Sequence, residues 1–347
     1  MHLPKAAGGA VAAVALGTLV ALGSGQLMAA ESQQSAEQPR VADEPSATAA
    51  TAGNPLEMTD GFHVDPTSNP ATWVAQNPDD ERVEQIGSEI ADQPMAKWFG
   101  GWNTDLAGDV SEYLGGAEAA GALPVLVAYN IPGRDCGSHS GGGAENAAEY
   151  RAWIDTFASA IGDSPALVVI EPDALAQLDA CPEHADPDTR LELLRYAVDQ
   201  LGAHAPNTWS YLDAGNSDWI AADVMAGRLN DAGLADAHGF AVNVSNYKTT
   251  EDSIGFSESV NAELSSRFDY SRPFVVDTSR NGNGPLGGEW CNPAGRMLGT
   301  PPQEGGGAEM LLWIKVPGDS DGNCGIAPDV PAGTFSPDLA MHLIEGS

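Results

Sequence analysis

Apolar positions along the chain fall into seven short runs separated by longer amphipathic stretches. The runs are MAKWFGGW (95–102), LPVLVAY (123–129), ALVVIE (166–171), TWSYLD (208–213), GFAVNVS (239–245), PFVVDTS (273–279) and LLWIKV (311–316). Each predicts a strand, and the unbroken ALVVI predicts one buried on both faces. Between them lie segments such as ENAAEYRAWIDTFASAIG (145–162) and DTRLELLRYAVDQLG (188–202), whose apolar residues recur at helical spacing. Strands alternating with helices predict a parallel sheet. From Asn54 onward neither a repeat nor a second linker interrupts the pattern. The expected fold is one α/β domain, a distorted barrel of about seven parallel strands.

The polar residues are concentrated at the ends of these runs. Tyr129, Glu171 with Asp173, Asp213, Asn243 with Asn246, Asp277 and Lys315 close them, and the following loops add Asp135, Asp319 and Asp321. An α/β barrel builds its active site at the carboxyl ends of its strands. An open doubly wound sheet would gather ligands at a single crevice, so polar ends on nearly every strand fit a ring better.

The stretch ALVVIEPDALAQL (166–178) sharpens the point. Carboxylates seldom sit in apolar surroundings unless they are paired or used. Hydrolysis of a glycosidic bond needs one carboxyl kept protonated for the leaving oxygen, and another group to activate water or attack. Burial or a neighbouring like charge raises a carboxyl pKa in that way. Asp173, just past a buried strand, is the expected proton donor, with Asp135 and Asp213 supplying like charge. The competing reading makes these acids helix caps, since PDALAQL is a passable helix start with Asp173 at the cap. Trp98, Trp219 and Trp290, at or beyond strand ends, are candidate platforms for sugar rings or else core residues. Trp313, inside LLWIKV, is assigned to the core.

Composition narrows the partners. The 347 residues include 49 acidic and 15 basic side chains, for a net charge of -34. Such a surface repels nucleic acid and anionic membranes. Residues 1–30 read as a secretory signal: His2 and Lys5 precede an apolar stretch from Ala6 to Leu22, and LMAAES supplies small residues for cleavage near Ala30. Residues 31–54 lack aromatics and any apolar period, which predicts a disordered linker. The expected catalytic domain is 55–347, secreted and monomeric.

Cys136, Cys181, Cys291 and Cys324 show no metal-ligand spacing, so two disulfides in an oxidising compartment are expected. Three pairings are open; Cys136–Cys181 with Cys291–Cys324 is favoured because each would tie a loop close to the acidic strand ends. Three other patterns carry nothing. GNGPLG (282–287) is broken by Pro285 and opens no convincing nucleotide-binding helix. GSHSGGG (137–143) centres on His139 rather than a serine, so it reads as a flexible loop over the site. The histidines are scattered, and neither a metal nor a cofactor is implied.

Five motifs, VAYNIPGRDCG (127–137), VVIEPDALA (168–176), YLDAGNSDW (211–219), EWCNPAGR (289–296) and WIKVPGDSDGNC (313–324), closely resemble glycoside hydrolase family six, the inverting cellulases. The resemblance spans about Asn54 to the C-terminus and keeps the family's motif order. It implies a distorted seven-stranded barrel, a β-1,4-glucan substrate, inversion at the anomeric carbon, and disulfides that agree with the favoured pairing. By resemblance Asp173 is the general acid, and Asp135 raises its pKa and relays a proton from water. Tyr129 lies beneath the distorted sugar, Asp213 is a further site acid, and Asp321 matches a disputed candidate base. Trp98, Trp219, Asn246, Trp290, Lys315 and Asp319 fall where the family binds glucose units.

The chain departs from the family by carrying Asp319 where Glu is usual and Asn216 where His is common, which puts individual sugar contacts in doubt. Only Gly322 and Asn323 separate Asp321 from Cys324. Little material is left there to roof the site, so an open cleft and endo-acting cleavage are expected, unless loop 137–143 closes from the other side. The alternatives are an exo-acting cellobiohydrolase of the same family, a retaining barrel glycosidase, and a non-catalytic polysaccharide-binding protein.

Overall fold

A computed structural model describes residues 53–180 and 186–347. All seven apolar runs form strands: β1 Lys97–Phe99, β2 Val125–Ala128, β3 Ala166–Ile170, β4 Thr208–Asp213, β5 Gly239–Val242, β6 Phe274–Asp277 and β8 Met310–Leu312. They pair in parallel in the order β1-β2-β3-β4-β5-β6-β8. A two-residue strand β7, Gln303–Glu304, adds antiparallel to β8; it is too short to leave a signal in the sequence. The sheet curls into a half-barrel. The β1 and β8 regions meet through the Ala96 N–H donating to the Trp313 carbonyl at 2.9 Å and the Trp98 indole N–H donating to the Ile314 carbonyl at 2.8 Å. The barrel is therefore distorted, as expected.

Because successive side chains in a strand point to opposite faces, each strand contributes to two cores. Leu126, Val168, Ile170, Leu212, Phe240, Val242 and Val276 pack outward against helices. Val125, Val127, Leu167, Val169, Tyr211, Ala241 and Val275 pack inward. The outer helices include α4 Leu106–Ala120, α5 Ala147–Ile161, α6 Pro187–His204, α7 Ala222–Asp231 and α8 Thr250–Phe268. Asp105, Asn146, Asp186 and Thr249 cap α4, α5, α6 and α8, each accepting a backbone N–H of the first turn. Continuing the inward row reaches Tyr129 just past β2, Asp213 at the end of β4 and Asp277 at the end of β6. At Glu171 and Asn243 a left-handed backbone, at φ 48° and 65°, interrupts the alternation.

The opposite, amino-terminal end is closed by the segment preceding the barrel. Asn54 caps α1, Pro55–Met58, and Leu56 and Phe62 pack against the inner core beside Trp209. The Gly53 N–H bonds the Pro206 carbonyl at 3.0 Å, and His63 and Leu123 exchange N–H bonds with Leu123 and Gly61 carbonyls. Phe62→Ala, at a half-buried position, is expected to lower unfolding stability by roughly 1–3 kcal/mol in a urea titration, with the slope unchanged. Of the sequence expectations, the signal, most of the linker and Cys181 lie outside the described residues, so the Cys136–Cys181 pairing does too. Cys291 and Cys324 are joined. Among the described residues no helix is long and apolar enough to cross a membrane.

Candidate active site

The two acids that end β3 have different duties. Glu171 is fully buried, and its carboxylate accepts the backbone N–H groups of Asn130 at 2.9 and 3.0 Å and of Ile131 at 2.9 Å. It ties the end of β3 to the loop after β2; burial pushes its pKa up to about 7 despite those bonds. Asp277 is a second such anchor, accepting N–H bonds from Ser245, Ser279, Ile314 and Lys315 and so tying β5, β6 and β8.

Asp173 is not bonded in this way. Glu171 and Asp173 both adopt left-handed backbone, at φ 48° and 69°, on either side of Pro172. Residues uncommon in that region mark an over-determined turn. The segment that follows is a series of turns rather than a helix, so the helix-cap reading of Asp173 fails. Its Oδ1 is inaccessible and without a hydrogen-bond partner. Burial first, then the charges of Asp213, Asp135 and Asp321, raise its pKa well above the carboxylate range.

Asp213 lies against it: the Asp173 N–H donates to Asp213 Oδ1 at 2.9 Å, and the Gly215 N–H donates to the same oxygen at 3.0 Å. Burial raises the Asp213 pKa as well, but the two backbone donors oppose it. Within this pair the charge therefore rests on Asp213 and the proton on Asp173. Of the like charges around Asp173, that of Asp213 acts on it most strongly, ahead of Asp135 and Asp321. Asp135, also in left-handed backbone at φ 53°, accepts the Tyr129 hydroxyl at 2.5 Å and the Gln177 amide at 3.3 Å. Tyr129 in turn meets Trp98 edge to face, with ring centroids 5.0 Å apart.

Asp321 has the opposite environment. Arg280 Nη1 lies 2.9 Å from its Oδ2 and Lys315 Nζ 3.4 Å from Oδ1, while the Tyr247 hydroxyl and the Asn292 N–H donate at 3.2 and 3.0 Å. Burial works against the charge, but Arg280 and Lys315 overcome it and hold the pKa below the usual range. Asp321 is thus an anion locked among donors, a weak proton acceptor near neutrality. Asp319 Oδ2 accepts from the Asn69 amide at 2.8 Å, and its Oδ1 is inaccessible without a partner; burial lifts its pKa to about 7.

Trp219 and Trp290 are 38% and 51% exposed, as stacking platforms would be, whereas Trp313 is core and bonds the Thr300 carbonyl. The half-buried Asn246 amide donates to the Val244 carbonyl. Loop 137–143 does reach across. The His139 ring stands 6.3 Å from Trp290, and a Cβ at Gly322 would lie 2.4 Å from it. Loop 137–143 thus touches the 321–324 segment, the approach from the other side that the sequence left open. Among the described residues only His139, Cys291 and Cys324 gather metal-type ligands, and the two sulfurs there are already bonded to each other.

These shifts set the pH dependence of stability. Glu171 and Asp319, and Asp173 still more, keep protons in the folded state that the unfolded chain releases near pH 4. The stabilisation from Glu171 and Asp319 is full below that pH and is lost as pH rises through about 7. Asp321 and Asp65, with lowered pKa values, act in reverse and lose their contribution as pH falls below 4. Thermal melting should peak at mildly acidic pH; a melting temperature rising steadily from pH 5 to 8 would contradict these assignments.

Arg280, Tyr247, Asn292 and Gln177 escaped the sequence reading. Arg280 follows a strand end in PFVVDTSR, but its partner is 41 residues away, and no periodicity encodes that pairing.

The site can be compared with known proteins. Over 302 residues, 87% of this chain and 94% of the other, the sequence is 50% identical to endoglucanase 1 of Streptomyces halstedii. It is 43% identical to endoglucanase A of Cellulomonas fimi, covering 83% of this chain and 61% of that one. The fold matches the endoglucanase Cel6 of Mycobacterium tuberculosis, solved in complex with methyl-cellobiosyl-4-deoxy-4-thio-β-D-cellobioside. The TM-score is 0.76 at 41% identity, covering 85% of this chain and 99% of that one. The model of the glycosyl hydrolases family 6 matches residues 58–347. With the family's sequence, its fold and a strand-end cluster of carboxyls coinciding in one chain, this protein is an enzyme belonging to the glycosyl hydrolases family 6.

Proposed function

We propose that the chain is a secreted endo-β-1,4-glucanase that cleaves cellulose-type glucan with inversion. The observation that carries this reading is the unpartnered, inaccessible Asp173 oxygen set among three other acids. Asp173 hands its proton to the bridging oxygen as the bond to the anomeric carbon breaks. A water attacks that carbon from the opposite face, and its proton passes to Asp135, directly or through a second water. Asp135 is oriented for the task by two neutral donors, the Tyr129 hydroxyl and the Gln177 amide, whereas Asp321 faces two cations. Asp321, held by Arg280 and Lys315, contributes fixed negative charge rather than a proton acceptor. Trp98, Trp219 and Trp290 line the path of the glucan, and the apolar leader of residues 1–30 supports export.

Proton NMR of the products from a defined cello-oligosaccharide tests the reading: α-anomer must appear first, and initial β-anomer would mean retention. The contact of His139 with Gly322 and Trp290 favours an alternative, exo-acting release of cellobiose under a closed roof. Carboxymethyl cellulose separates the two. Endo cleavage drops viscosity early relative to reducing ends, and exo cleavage leaves viscosity high while cellobiose accumulates.

Asp135→Asn removes a charge that raises the Asp173 pKa. The donor then loses its proton at lower pH, so the alkaline limb of the kcat/KM profile moves toward acid, with kcat reduced about 10²-fold. An unmoved limb would take Asp135 out of the proton network.

A further inference from the structure

We propose that Trp102 is an additional sugar-stacking platform that extends the cleft past Tyr129 and takes one β-glucosyl unit of the chain. The inference rests on the glucanase reading and names a binding residue for it. The sequence places Trp102 at the end of the first strand run, but β1 stops at Phe99, and the indole is 51% exposed. Exposure alone says little, since single apolar residues often face water. The mounting of the ring says more.

The Arg134 guanidinium lies 5.3 Å from the Trp102 ring centroid and 4.4 Å from that of Tyr129, so one cation joins the two rings. Arg134 is itself only 9% exposed and is fixed by donating to the Tyr129 carbonyl at 2.6 Å and the Ser140 carbonyl at 2.8 Å. The indole therefore rests on an immobile support rather than swinging in solvent. It also lies over Gly100, where an added Cβ would sit 2.4 Å from a ring carbon and 2.7 Å from the Tyr129 carbonyl. Only glycine there lets the ring lie against the strand end.

A Trp face backed by protein, half in water and one guanidinium from the tyrosine of the cleavage point, offers a flat apolar surface at the site. The C–H faces of a pyranose match that surface, and the cation behind the ring keeps it in register.

Steady-state kinetics on cellotriose through cellohexaose test the assignment. Trp102→Ala should lower kcat/KM roughly 10-fold on cellohexaose and under about 2-fold on the shortest oligosaccharide cleaved. Trp102→Tyr should recover most of the loss. Trp102→Leu, which still covers Arg134, should not. Equal losses at every chain length, rescue by leucine, or no loss at all would overturn the platform while leaving the glucanase reading intact. A wild type that cleaves none of these oligosaccharides overturns the glucanase reading and the platform with it.

Discussion

Asp173→Asn is expected to lower hydrolysis of unactivated cello-oligosaccharides by about 10³-fold or more, with the fold retained. The carboxamide keeps the shape but has no proton to give. The loss should be far smaller on an aryl cellobioside whose phenolate leaves without protonation, because only departure of the leaving group depends on the donor. A general structural defect would depress both substrates alike. Stability should hold or rise, since the change removes a half-buried acid close to the charges of Asp213 and Asp135 whose inaccessible Oδ1 lacks a partner. Near-native turnover on the unactivated substrate would remove Asp173 from the chemistry.

Arg280→Ala is expected to cost roughly 3–5 kcal/mol of unfolding stability at neutral pH, because it leaves a buried carboxylate short of its main counter-charge. Arg280 is 2% exposed, bonds Asp321 Oδ2, donates to the Ser245 carbonyl and lies 4.4 Å over the Tyr247 ring. Lys315, at 3.4 Å from the other oxygen, cannot replace that set. The double variant Arg280→Met with Asp321→Asn should recover part of the loss, since an absent pair costs less than a broken one. Urea titrations of both variants at pH 7 provide the measurement. Arg280→Ala within about 0.5 kcal/mol of the wild type would show that Asp321 is not held as described.

The barrel was legible because its strands are buried on both faces and so read as continuous apolar runs. All seven runs became strands, although MAKWFGGW ended three residues early at Phe99 and released Trp102. Part of the site was legible for a related reason, since the inward row continues onto Tyr129, Asp213 and Asp277 at the strand ends. What the sequence could not distinguish is which acid anchors backbone and which does chemistry. Glu171 and Asp277 differ from Asp173 in the N–H groups aimed at them, and these come largely from the segments that follow neighbouring strands. The Arg280–Asp321 pair and the reach of His139 to Gly322 were hidden likewise, because both are contacts across the barrel mouth. The local pattern PDALAQL suggested a helix start, but the left-handed turns at Glu171 and Asp173 prevailed.

The central claim is that Asp173 holds its proton near neutrality, and carbon-13 NMR of aspartate side-chain carboxyls reads this directly. The account predicts one resonance, missing from Asp173→Asn, that keeps the neutral-carboxyl position well above the ordinary Asp value of about 3.9. A resonance for Asp173 already in the carboxylate position at about pH 5 would contradict it.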